Sequence, residues 1–178
     1  MYTVQHGSTL VEQLAVLAIV ATSATLALPG LEGLVADAKR TATVNQWVVT
    51  VQLARTEAIK RRLSIALCPS RDGASCSEAP DDWARGWIMF ANEDQDSPPV
   101  LDPGETLIAQ GGPPQAGQAL RVNRAAFAFR PFGMRSTNGS VVVCDRRGGA
   151  QARAVVVSPT GRPRVTKATS DGKPFDCD

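Results

Sequence analysis

Residues 14–28 read LAVLAIVATSATLAL and carry no charge. With Leu10 and Val11 before them and Leu31 and Leu34 after, the apolar stretch approaches the roughly 20 residues a helix needs to span a bilayer. An ordinary secretory signal peptide would account for such a run. It would also require a basic segment before the run and an A-x-A-like cleavage site after it; the basic segment is missing and no convincing cleavage site follows. Glu12 sits near the start of the run, where an ionised side chain is costly and is usually kept for a function. The pattern predicts a membrane-embedded helix over residues 8–34 followed by one domain over 35–178.

The rest of the chain suits a single small domain. Of its 178 residues, 43% are hydrophobic and only 5% aromatic, so the core is expected to be mainly Val, Leu, Ile and Ala. The net charge of +2 hides a strong asymmetry. Residues 37–71 hold seven basic and two acidic side chains, 72–105 hold one and nine, and 121–167 hold ten and one, the acid being Asp145. An acidic middle and a basic carboxy-terminal half point to a polyanionic partner or to docking protein surfaces; a solvated charged face is the plainer alternative.

The four cysteines, Cys68, Cys76, Cys144 and Cys177, all follow the apolar run. None forms a CxxC pair and the only histidine is His6, which argues against zinc. An oxidising compartment fits better than free thiols in the cytosol. Three pairings exist; the short Cys68–Cys76 spacing favours a local loop and leaves Cys144 to tie down the tail through Cys177.

Residues 35–62 are predicted to continue as helix, because Val44, Trp47, Val48, Val51, Ala54 and Ala58 form one apolar stripe. Beyond Leu63, short β-rich runs at 63–67, 87–90, 126–129, 141–144 and 154–157 alternate with Gly, Pro and Asp clusters. Residues 92–118 read as a long loop with a short strand at 106–109. One helix followed by many strands predicts an α+β fold, with the helix laid on antiparallel sheet.

His6-Gly7-Ser8-Thr9-Leu10-Val11-Glu12 resembles the processing site of type IV prepilins and pseudopilins. The resemblance implies a leader over 1–7, cut by a membrane prepilin peptidase between Gly7 and Ser8, with methylation of the new amino terminus. Glu12 then becomes the fifth mature residue and serves filament assembly, its carboxylate paired with a neighbouring subunit's amine. Pro29 falls where such helices often bend or melt. Ser8 and the absence of Lys or Arg in the leader depart from the family pattern. ARTEAIKRR at 54–62, the Cys68–Cys76 loop, Trp83-x-x-Gly86-Trp87-Ile88-Met89-Phe90, Phe129-x-x-x-Gly133 and Gly161-Arg162-Pro163-Arg164 resemble the GspH/FimT group of minor pilins and pseudopilins. The implied fold is type IV pilin-like. The implied location is the inner membrane before assembly, then a periplasmic or cell-surface pilus among other pilin subunits.

No enzyme site is expected: His6 and Ser8 are parted by processing, and no histidine follows. No cofactor or metal is expected either; Asp81, Asp82, Asp94 and Asp96 lack the EF-hand pattern, and Gly148-Gly149 is too little for a phosphate loop. The basic half carries the functional expectation. The FimT branch is associated with DNA uptake in natural transformation (competence) through a GRxR motif near its carboxy terminus, and this chain has GRPR. Gly161 opens the turn, Arg162 and Arg164 are the expected contacts with double-stranded DNA, and Arg146, Arg147 and Lys167 assist. A Cys144–Cys177 bond is expected to hold these turns and the tail near one another. No aromatic residue interleaves the arginines, so binding is expected to follow phosphates without reading sequence. The alternatives are that Arg162 and Arg164 pair with the acidic segment or with a sister pilin, in a purely structural minor pilin or type II secretion pseudopilin.

Overall fold

The computed structural model describes residues 9–131 and 134–177. The expected cleavage junction Gly7–Ser8 and the motif glycine Gly133 lie outside the described residues. One helix, α1, runs from Leu10 to Arg61 without a break at Pro29. Thr9 caps it: the Glu12 N–H donates to Thr9 Oγ1 at 3.3 Å, and the Gln13 N–H to Thr9 O at 3.1 Å. Thr9-x-x-Glu12 thus has the spacing of a capping box, with an acid in the first turn where it favours the helix dipole. The helix ends where Arg62 enters the left-handed region at φ 59°, the turn that commonly closes a helix.

The chain divides into two compact units, Met1–Ala38 and Lys39–Asp178. In the first, Leu10, Val11, Leu14, Leu17 and Ile19 are more than half exposed. Among the described residues, no helix is long and apolar enough to cross a membrane.

Among its described residues the second unit has eight strands: β1 Ser64–Pro69, β2 Trp87–Asn92, β3 Leu107–Gly111, β4 Gln118–Val122, β5 Phe127–Phe129, β6 Gly139–Asp145, β7 Arg153–Val157 and β8 Pro163–Thr166. They form two antiparallel sheets, ordered β3-β2-β1-β5 and β4-β6-β7-β8. The apolar stripe of α1 is core: Val44, Trp47, Val51, Ala54 and Ala58 are buried with Ile65, Leu67, Met89, Phe127, Phe129, Val141, Val143, Val155 and Val157. Residues from both sheets meet the same helix face. The alternating partners, Val142, Cys144 and Ala154, lie on the other face of the second sheet under Phe175 and Cys177 of the tail. This is the period-two alternation of a sheet covered on both sides.

Trp83 is the largest fully buried side chain among the described residues. It lies in a 3-10 turn, Pro80–Ala84, and donates its indole N–H to Arg124 O at 3.0 Å. Three elements depart from expectation. This turn and β4 fall in polar, Gly- and Pro-rich sequence, and β8 contains the GRPR arginine that reads as loop. Each is stabilised by tertiary pairing rather than by an apolar run of its own. The segment 92–118 therefore carries a five-residue strand and the start of another.

Both expected disulfides are present, Cys68–Cys76 and Cys144–Cys177, with Cα–Cα distances of 5.6 and 5.8 Å. The first closes a loop that Asp72 organises by accepting the Ala74 and Ser75 N–H groups. Those bonds, with the Ser75 and Ser70 hydroxyls, hold the Asp72 carboxyl far below its ordinary range.

Candidate nucleic-acid interface

The GRPR segment forms the turn between β7 and β8. The Gly161 N–H donates to Ser158 O at 2.8 Å, the Ser158 N–H to Arg162 O at 3.0 Å, and the Arg162 N–H to Ser158 Oγ at 3.1 Å. Gly161 is buried with φ +71°. A Cβ there would sit 3.3 Å from Ser136 Oγ and 3.4 Å from both Arg55 Cδ and Phe129 Cδ1. The backbone angle is what calls for glycine here; the added atom would press only slightly on the Ser136 hydroxyl.

Two other elements brace the turn. The Ser136 N–H, from the β5–β6 loop, donates to Pro159 O at 2.9 Å. Arg55, on α1, donates its Nε–H to Thr160 O at 3.1 Å. Between these elements lies a cleft of about 510 Å³ lined by Arg55, Arg130, Arg135 and Arg162, with Ile59, Pro131, Met134, Pro159 and Thr160. Arg130 and Arg135 stand on the β5–β6 loop and are exposed, as is Arg162. Sequence reading missed Arg55, Arg130 and Arg135 as site residues. Only the topology joins a helix residue, a loop and a turn separated by up to about a hundred positions.

The expected basic residues do not all gather here. Arg164 is exposed on β8 opposite Val156, and so lies on the tail-covered face of the sheet. It lines a separate cleft with Asn123, Asn138, Thr169 and Phe175. Arg146 and Arg147 occupy the β6–β7 turn. Because β7 runs antiparallel to both its neighbours, that turn and the GRPR turn sit at opposite ends of the strand, about 13 Å apart at roughly 3.3 Å per residue. Lys167 follows Thr166, the partner of Ala154, and belongs to the Arg146 end. The expectation that the Cys144–Cys177 bond gathers these turns is therefore corrected. The bond forms, but the hairpin ladder keeps the turns apart.

Arg147 is also occupied. It grips Asp145 through Nε at 3.0 Å and Nη2 at 2.6 Å. These bonds, then the Arg147 backbone N–H, hold the Asp145 carboxyl below its ordinary range against the opposing effect of burial.

Several acids of the 72–105 segment are satisfied locally. Asp82 is buried and accepts from Arg71 at 2.7 Å and from the Ser77 hydroxyl, with Arg85 at 3.3 Å. Arg71 first, then Ser77, depresses its pKa. Asp94, Asp96 and Asp102 approach one another, but Asp96 already accepts from Asn92 and Val100, and Asp94 from Asp96. Among the described residues, no acid pairs with Arg162 or Arg164.

A family model described as "Type II transport protein GspH" matches residues 43–161. The chain belongs to the GspH family. The match takes in the core stripe of α1, every strand up to β7 and the glycine of the GRPR turn. No curated protein sequence matches this GspH-family chain. Among solved structures, the type IV minor pilin FimU of Pseudomonas aeruginosa PAO1 superposes with a TM-score of 0.53 at 16% identity, covering 78% of this chain and 99% of FimU. A second crystal form of FimU gives 0.52 at 18% identity, over 78% and 95%. The minor pseudopilin EpsH from the type 2 secretion system of Vibrio cholerae gives 0.50 at 10%, over 72% and 96%. At these identities the likeness is one of fold: a long helix with antiparallel sheets, as expected for the GspH/FimT group.

Proposed function

We propose that this GspH-family chain is a type IV minor pilin that binds double-stranded DNA without sequence preference, for uptake in natural transformation. The observation that carries the reading is the GRPR turn. Its glycine is locked at positive φ, its backbone is braced from two other elements, and its arginines lack acidic partners among the described residues. A rigid turn presenting guanidiniums suits phosphate oxygens, which bind arginine in a bidentate manner. The exposed apolar side chains of Leu10–Ile19 support a first unit that meets lipid in the inner membrane and sister subunits in a filament. In the same reading, residues 1–7 are a leader removed by prepilin peptidase between Gly7 and Ser8, and Glu12 serves assembly.

Titration of labelled duplex DNA with the compact unit from Lys39 onward tests the reading. With roughly three to five phosphates contacted, log affinity should fall against log salt with a slope of about −3 to −4, and Kd should be on the order of micromolar or weaker. Arg162→Gln with Arg164→Gln should remove most binding, with Arg162 carrying the loss because Arg164 opens on the other face of the second sheet. Lys39→Gln with Arg62→Gln, two exposed charges elsewhere, should not. Arg40 is unsuited to such a control because it is buried against Asp145. Absence of wild-type binding at low salt would leave the chain a structural minor pilin or pseudopilin.

A further inference from the structure

We infer that the phosphate-binding face is the cleft formed by Arg55, Arg130, Arg135 and Arg162, and that Arg164 and Lys167 lie outside it. The inference rests on the DNA reading above and names the residues that perform it.

Four guanidiniums from three separate elements line one cleft, and no carboxylate lines it. Elsewhere the arginines close to acids are neutralised: Arg40 and Arg147 by Asp145, Arg61 by Glu57, and Arg71 and Arg85 by Asp82. Arg130, Arg135 and Arg162 have no such partner among the described residues. Like charges held together repel, and a polyanion entering the cleft relieves that repulsion.

Arg55 is pre-positioned. Its Nε–H is committed to Thr160 O at 3.1 Å, which fixes the guanidinium plane and leaves the terminal nitrogens to a ligand. Ile59, Met134 and the two prolines give the cleft apolar walls that suit the sugar between phosphates. A duplex carries one charge per about 1.7 Å of axis, so neighbouring phosphates are close enough together to engage more than one of these arginines. Arg164 opens on the opposite face of the second sheet and cannot share those phosphates.

The full chain in mild detergent is titrated against a short fluorescent blunt duplex over a range of salt. Two charge-matched variants are compared, Arg130→Gln with Arg135→Gln and Arg164→Gln with Lys167→Gln. All four side chains are exposed, so thermal unfolding should be unchanged in both variants. The cleft variant should weaken binding about tenfold or more and flatten the salt slope by nearly 2, since each phosphate left unneutralised accounts for about 0.9. The Arg164–Lys167 variant should change the slope by less than about 1. Arg55→Lys, which keeps the charge but loses the fixed plane, should fall between. Equal weakening in the two variants, or an unchanged slope in the cleft variant, overturns the cleft while the DNA reading stands. A wild-type chain that binds no duplex overturns both.

Discussion

Arg40 Nη1 lies 3.6 Å from Asp145 Oδ2, and both side chains are almost wholly withdrawn from solvent, at 6% and 7% exposed. Arg147 reaches the same carboxylate from its other side at 2.6 Å. One acid thus ties the beginning of the domain's helix to the end of β6. It is the only acid in the basic segment 121–167, and it is used internally.

Asp145→Asn should therefore destabilise the fold, on the order of 3 kcal/mol, because a buried guanidinium loses its counter-charge. The pH dependence has a definite sign. Folding lowers the Asp145 pKa, so below the ordinary carboxylate value of about 4 the unfolded state binds more protons and stability falls with falling pH. Urea denaturation of the two proteins should show a large gap at neutral pH that narrows in acid. A gap that is constant with pH would contradict the ionised role of Asp145.

Gly161→Ala should cost roughly 1 kcal/mol for the left-handed backbone, and slightly more as the Ser136 hydroxyl makes room. Thermal unfolding should fall by a few degrees, and DNA affinity should fall with it because Arg162 is displaced. Calorimetry and anisotropy on the same preparation would check both. An unchanged melting temperature would mean that the turn is not locked by its glycine.

Cys144→Ser with Cys177→Ser should cost about 2–5 kcal/mol, typical of a native disulfide in a small exported domain. Gly149→Ala should loosen the same region by another route, since an added methyl would collide with the Phe175 carbonyl oxygen. Hydrogen exchange in residues 168–177 should quicken in both variants. Because the GRPR turn lies at the far end of β7, DNA binding should persist in both.

Intact-mass measurement on membrane-extracted protein should find a chain that begins at Ser8 with a methylated amino terminus. A mature chain beginning beyond residue 20 would indicate an ordinary signal peptide and remove the leader from the proposal.

Much of the architecture is legible in residue pattern. The stripe from Val44 to Ala58 is buried, both disulfides pair as spacing suggests, and the strands with apolar runs lie where those runs lie. What escaped has a common cause. β4 reads Gln-Ala-Leu-Arg-Val and β8 reads Pro-Arg-Val-Thr; both are edge strands with one polar face, defined by their partners more than by composition. The basic site escaped in the same way. Charge counting finds ten cations in 121–167, yet it cannot tell that Arg147 is spent on Asp145, that Arg164 faces the tail, or that Arg55 arrives from the helix. Those distinctions arise from strand parity and register, which a linear motif does not encode.

The sheet order leaves β8 at an open edge of β4-β6-β7-β8. An exposed strand edge invites pairing with an identical edge on another molecule, a hazard for any subunit packed at high density with its relatives. Pro163, at the first position of β8, has no amide hydrogen to donate, and Arg164 adds a charge that two such edges would bring together. The proline and arginine that make this turn a candidate anion site thus also guard the domain against uncontrolled sheet extension.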